Sequence, residues 1–220
     1  MISLHNVTKK YRTSAGIHTV LDSVSIVFPE NLNVGILGLN GAGKSTLIRI
    51  IGNAEDPDSG YVERTSDISW PMGFSGGFQP NLTARENARF VARIYGEDPR
   101  YVESFAEEFA ELGKYFDVPL RNYSAGMRSR FAISVSLACD FEYYLVDEGL
   151  ETGDARYREK VRLAFEERQA QSAVILVSHN EQTIRRTCDA AAILHGAELE
   201  YFDDVKPALK QFRQLQEQAA

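Results

Sequence analysis

Cysteine is scarce. Cys139 and Cys188 are the two thiols in 220 residues, and they stand far apart in no Cys-x-x-Cys pattern. That argues against a disulfide framework and a zinc site, and predicts two small buried hydrophobes in a reducing compartment. Long apolar runs are missing too. No segment approaches the ~20 apolar residues a membrane helix needs, and residues 1–6 lack the basic start and apolar run of a secretory signal. Excess positive charge is absent: the net charge is −7 and the pI about 5.2. Nucleic acid is therefore not expected as the main partner, because its phosphates need clustered Lys and Arg. What is present is an ordinary globular composition, 44% hydrophobic and 25% charged, at a length that suits one domain. The expectation is a cytoplasmic chain whose membrane role comes through a partner.

Along the chain, strand-like and helix-like stretches alternate. Residues 2–7 and 24–28 alternate apolar with polar, as half-buried strands do, and residues 33–37 form a short apolar run. Residues 46–51 read as a helix, and residues 56–60 form a turn cluster. Thr83 and Glu86 have the spacing of a capping box, each side chain serving a free backbone N–H at a helix start. Helical spacing continues over 101–112 and 124–138, so residues 81–138 read as a mostly helical lobe. Then come a strand (143–146), a helix (155–169), a strand (174–177), a helix (181–188), late strands (190–194 and 199–202) and a last helix (205–217). Neither repeats nor low-complexity tracts occur. The pattern predicts an α/β fold with a parallel sheet in its core, an N-terminal β part and an inserted helical lobe. The core covers about 1–80 and 139–202, the lobe about 81–138, and the terminal helix about 205–217, all within a single domain.

Five features carry chemistry. Gly38-Leu39-Asn40-Gly41-Ala42-Gly43-Lys44-Ser45 fits G-x-x-x-x-G-K-[ST]. The glycines let successive N–H groups converge on phosphate oxygens, and a helix opening at Lys44 aims its positive end at them. Lys44 is expected to reach the β- and γ-phosphates, Ser45 to ligate Mg²⁺ and Thr46 to reach the α-phosphate. The motif follows an apolar strand and opens a helix, the context it requires. Second, Tyr143-Tyr144-Leu145-Val146-Asp147-Glu148 is an apolar strand ending in two carboxylates. Asp147 would take Mg²⁺ through a water at the sheet's C-terminal edge, and Glu148, pointing another way, would polarise an attacking water. Third, His179 ends another core strand; it fits a γ-phosphate contact, or a strand-end imidazole bonded to backbone. Fourth, Gln79 can ligate Mg²⁺ or water, though a plain loop glutamine is far commoner. Fifth, Ser124 and Gly126 begin a helix, where a hydroxyl and backbone N–H groups form an anion site. An ordinary Ser-capped helix explains the same residues, and physics alone does not choose.

The order of these motifs resembles the ATP-binding cassette family over essentially the whole chain. The resemblance implies a P-loop ATPase fold that binds ATP and Mg²⁺ and works as a head-to-tail dimer with two ATP molecules between subunits. Ser124 and Gly126 of one copy would then cap the γ-phosphate held by Lys44 of the other. Tyr11, in Lys9-Lys10-Tyr11-Arg12, matches the family's adenine-stacking aromatic; without that match it reads as a strand-end tyrosine.

Residues 68–71, 76–79, 82–87, 109–116 and 123–130 are similar to one branch of the family, the ATPase subunits of capsular polysaccharide exporters, related to O-antigen and teichoic acid exporters. No carbohydrate-binding extension follows the ATPase region, which favours the capsule type. The resemblance implies a polytopic inner-membrane permease as partner, with periplasmic and outer-membrane export proteins beyond it. It implies a lipid-linked polysaccharide as cargo and a place on the cytoplasmic face of the bacterial inner membrane. Ala125 and Met127 stand where the family usually has glycine and glutamine, so a less tight closed dimer is expected. Residues 149–153 before Asp154 are also atypical. Rival expectations are a cassette ATPase without a transporter, and a small kinase or GTPase on the same loop. No Asn-Lys-x-Asp guanine motif is present.

Overall fold

Strands and helices alternate in the computed structural model, which describes residues 1–14, 16–72, 76–147, 153–178 and 180–219. A long hairpin of β1 (Ile2–Thr13) and β2 (Gly16–Phe28) comes first, then β3 (Val34–Leu37), α1 (Lys44–Ile51) and β4 (Ser59–Arg64). The helices α2 (Ala84–Tyr95), α3 (Pro99–Ala110) and α4 (Ala125–Ala138) follow. Next come β5 (Tyr143–Asp147), α5 (Ala155–Gln169), β6 (Ala173–Val177), α6 (Glu181–Thr187), β7 (Ala190–His195), β8 (Glu198–Phe202) and α7 (Val205–Ala219). Two compact units emerge. Unit 1 is Met1–Pro71, Glu142–Glu148 and Ser172–Ala220; unit 2 is Met72–Phe141 and Gly149–Gln171.

Unit 1 holds both sheets. In the larger the order is β5-β6-β3-β7-β8, parallel except for the antiparallel β7–β8 pair. Its strands β3, β5 and β6 read Val-Gly-Ile-Leu, Tyr-Tyr-Leu-Val and Ala-Val-Ile-Leu-Val and are buried throughout those runs. Continuous apolar runs are what a parallel strand covered on both faces needs. The smaller sheet is antiparallel, β2-β1-β4. One core joins the two sheets to α1, with Leu4, Phe28, Ile36, Leu47, Ile48, Leu145 and Ile175 among its buried residues.

The hairpin is longer than the sequence suggests. Residues 2–7 and 24–28 were expected as strands, yet the ladder continues until Thr13 pairs Gly16. Residues 8–13 and 16–19 are largely exposed or half-exposed, so no apolar alternation marks them. Pairing between the strands builds this ladder, not core burial. β4 carries as little apolar signal: its first two residues end the turn cluster of residues 56–60, and Val62 alone among its apolar residues packs against the core. The start of β4 requires Gly60, whose φ is +79°, and a Cβ there would lie 2.3 Å from the Asn6 carbonyl.

Unit 2 is helical. α2 starts as its sequence predicts: the Glu86 N–H donates to Thr83 Oγ1 at 3.1 Å, and the Thr83 N–H to Glu86 Oε2 at 2.8 Å. α3 packs against α2 and α4, and α4 against α5. The sequence reading grouped α5 with the sheet. Its buried residues Tyr157, Val161 and Phe165 form an i, i+4, i+8 strip, and its ties run to α3 and α4. Lys160 Nζ lies 4.6 Å from the Phe109 ring centre, and the Arg130 guanidinium 4.1 Å from that of Tyr157.

Arg85 is the polar hub of this unit. Its guanidinium donates to Asp117 at 2.7 Å, to Glu107 at 2.8 Å and to Glu103 at 2.5 Å, and stacks on Phe116. Glu103 also takes a bond from Arg89. That bond and Arg85's outweigh burial and hold the Glu103 carboxyl below its ordinary range; Arg85 does the same for Asp117. Arg85→Ala should lower the melting temperature by about 5 °C near neutral pH. Carboxylates held low contribute stability above the unfolded range and lose it as acid protonates them. The gap from wild type should therefore narrow in thermal melts below about pH 4; a gap unchanged by acid would refute the assignment.

Cys139 and Cys188 are both buried, as expected. Burial pushes each thiol up to about 12. Neither should react with an aromatic disulfide reagent at pH 8 in the folded chain, and both should react in denaturant. Rapid labelling of the native chain would contradict this.

Candidate nucleotide-binding site

The C-terminal ends of β3, β5 and β6 lie side by side in the order β5-β6-β3, where ligands of open α/β sheets collect. β3 runs directly into the loop of residues 38–43, and α1 begins at Lys44. A cavity of about 400 Å³ opens here, lined by Asn40, Gly41, Gly43, Lys44, Ser45 and Thr46, with Tyr11, His18, Val20, Asp147 and Val177.

Steric and backbone demands fix the loop. Gly43, with φ +105°, caps α1 in the left-handed region, and a Cβ on it would stand 2.1 Å from Val20 Cγ1. A Cβ on Gly38 would stand 2.7 Å from the Leu194 carbonyl. Gly41 takes φ +80°. No side chain caps α1, so its first-turn N–H groups remain available to an anion. Lys44 is 8% exposed and donates from Nζ to the Gly38 carbonyl at 2.8 Å and the Leu39 carbonyl at 3.2 Å. Its charge is thereby fixed inside the loop.

On the far wall, Tyr11 pairs with His18 across the hairpin. The Tyr11 hydroxyl donates to Glu55 Oε1 at 2.5 Å and lies 3.3 Å from Thr46 Oγ1. The acceptor Glu55 carries no signal in the sequence, where it is one acid beside the turn cluster of residues 56–60.

Ser45 and Asp147 line the same cavity. Two hard oxygen donors beside a phosphate loop fit Mg²⁺, which takes one or two protein ligands and completes its shell with water and substrate oxygens. Among the described residues, no group of three or more His, Cys, Asp or Glu could hold a metal by itself. Glu148 and His179 lie outside the described residues.

Three expected site residues belong to unit 2. Gln79 is exposed, but its main chain is clamped. The Gln79 N–H donates to Asn87 Oδ1 at 2.8 Å, and Asn87 Nδ2 returns a bond to the Gln79 carbonyl at 3.0 Å. Asn87 is fully buried. Ser124 caps α4, its Oγ accepting from the Met127 N–H at 3.2 Å. Among the described residues, a Cβ on Gly126 would meet nothing within 4 Å, so none of them gives a steric reason for glycine there.

Comparison with known proteins agrees with this geometry. The profile of the family described as ABC transporter matches residues 21–151. The polysialic acid transport ATP-binding protein KpsT of Escherichia coli is 44% identical over 99% of this chain and 98% of its own length. The capsule polysaccharide export ATP-binding protein CtrD of Neisseria meningitidis serogroup B is 43% identical over 98% of this chain and 100% of its own. Among solved structures, the dimeric bacterial ABC transporter cassette MJ0796 superposes with a TM-score of 0.72 at 25% identity, covering 94% of this chain and 99% of that one. Among the described residues, no helix is long and apolar enough to cross a membrane.

Gly43 separates this cradle from an incidental turn. Gly43→Ala should weaken binding of a fluorescent nucleotide at least ~10-fold and lower the melting temperature, because the methyl has no room. Gly126→Ala should leave the melting temperature of the isolated chain unchanged. Wild-type affinity in Gly43→Ala would contradict the geometry.

Proposed function

The chain belongs to the ABC transporter family, and from that premise we propose that it is the ATP-hydrolysing subunit of an exporter of lipid-linked capsular polysaccharide across the bacterial inner membrane. The observation that supports the ATPase reading is the gathering of Tyr11, Lys44, Ser45, Thr46 and Asp147 around one cavity. The cargo rests on relatives that match end to end and are described by capsule polysaccharide export or polysialic acid transport.

Phosphoryl transfer to water asks little covalent help of a protein, so positioning and charge carry it. Lys44 and the N–H groups of residues 40–46 bind the phosphates, and Tyr11 stacks on adenine. Ser45 and Asp147, with Gln79, would hold Mg²⁺, which when bound neutralises charge on the phosphate oxygens. Glu148 orients the attacking water as general base, and His179 contacts the γ-phosphate. A second copy completes the site head to tail, offering Ser124 and Gly126 to the γ-phosphate. That none of the described residues gives a steric reason for glycine at Gly126 supports that role. The permease binds near Gln79, and through it the subunit serves periplasmic and outer-membrane export proteins from the cytoplasmic face.

The test replaces the native chain with Glu148→Gln in its own cells. Surface polysaccharide should disappear while lipid-linked polymer accumulates in the cytoplasm. The purified variant should bind ATP and release phosphate at least ~100-fold more slowly than wild type. An unchanged cell surface, with expression and membrane association confirmed, would remove polysaccharide as the cargo and leave the ATPase standing.

A further inference from the structure

Glu55 lies in the turn that carries the chain from α1 to β4, and it does not line the nucleotide cavity. Three donors nevertheless converge on it. Tyr11 Oη donates at 2.5 Å, Lys9 Nζ stands at 3.1 Å and Arg49 Nε donates at 3.0 Å. Tyr11 and Lys9 come from β1 and Arg49 from α1. Burial raises the Glu55 carboxyl, but the bonds from Tyr11, Lys9 and Arg49 outweigh it and hold the group below its ordinary range. It is therefore a carboxylate near neutral pH, and the phenol is the donor.

Around this hub the bonds close into a ring. Arg49 Nη2 donates to Thr46 Oγ1 at 3.2 Å, and Thr46 Oγ1 lies 3.3 Å from Tyr11 Oη. Lys9 is further tied to the Asp56 carbonyl at 2.7 Å. The hub thus touches two residues of the cavity wall, Tyr11 directly and Thr46 through Arg49. A tyrosine ring has two soft torsions, and a hydroxyl bonded at its far end fixes both. A ring already held in its bound orientation costs less to order when a base arrives.

We infer that Glu55 is a positioning residue for nucleotide recognition: it anchors the Tyr11 hydroxyl so that the ring presents a fixed face to the base. The inference rests on the proposed stacking role of Tyr11. It gives the acid in the Glu55-Asp56-Pro57-Asp58 turn a part in binding, where surface charge alone would have none.

The experiment compares two ligands that share phosphates and differ in the base. Affinities for ATP and inorganic tripolyphosphate are measured by calorimetry for wild type, Glu55→Ala, Glu55→Gln, Tyr11→Phe and Tyr11→Ala. The readout is the ratio of the two dissociation constants, since loosening of the turn or of α1 would weaken both ligands and leave the ratio unchanged. In Glu55→Ala and Tyr11→Phe the preference for ATP should fall about 10-fold. The double variant should fall no further, because both changes delete the same bond. Glu55→Gln, which keeps an acceptor oxygen, should fall less than Glu55→Ala. If Tyr11→Ala lowers the ratio and Glu55→Ala does not, the positioning role is overturned. If Tyr11→Ala also leaves it unchanged, the stacking role falls with it. A wild-type chain that binds tripolyphosphate but not ATP would overturn the nucleotide reading itself.

Discussion

A phosphate loop works only if the backbone donors of a short segment stay aimed at one point, and that requirement organises unit 1. The loop is pinned at both ends. β3 is buried between β6 and β7, and α1 sinks Leu47, Ile48, Ile50 and Ile51 into the core. Gly43 adds a third restraint, because Val20 occupies the space a side chain would need. Val20 belongs to the antiparallel hairpin. The same contact that fixes the loop therefore fixes the strand pair carrying Tyr11 and His18, so the two walls of the cavity are packed as one.

That arrangement also answers how a chain of net charge −7 can hold a polyanion. The attraction is local and comes from fixed dipoles: N–H groups in the first turn of α1, which no side chain caps, with Lys44 held beside them. Lys9 and Arg49 stand close by but are engaged by Glu55. Their role is to hold geometry, while Lys44 is the cation of the cavity wall. Distributing the cations this way keeps binding from depending on overall charge.

Which parts were legible in the sequence follows from how local each signal is. The loop, the Asp147 strand end, the Thr83 capping box and the Ser124 cap are set by residues within a few positions of each other, and all are where the pattern puts them. The buried strands were legible because burial on both faces leaves continuous apolar runs. The outer half of the hairpin, β4 and the grouping of α5 were not, because partners distant in sequence decide them. Residues 8–13 pair with β2 without sinking apolar groups into the core, and α5 buries a narrow strip that fits either unit by composition. Glu55 was invisible for the same reason. Its meaning lies in three donors from two elements, while its neighbours spell only a turn.

Unit 2 obeys a related logic with different chemistry. Arg85 gathers three carboxylates from α3 and the turn after it, which locks the helical frame. Two features with proposed roles are held by bonds between one side chain and the main chain. Buried Asn87 clamps the main chain of Gln79 and leaves its side chain exposed; the Ser124 hydroxyl fixes the first turn of α4 and leaves Gly126 open to solvent. A side chain that must meet a ligand or a second copy has to stay outward, so its precision must come from the chain beneath it. In both places a side chain bonded to main-chain groups supplies the precision, and Gln79 and Gly126 stay exposed, as the proposed dimer and its nucleotide require.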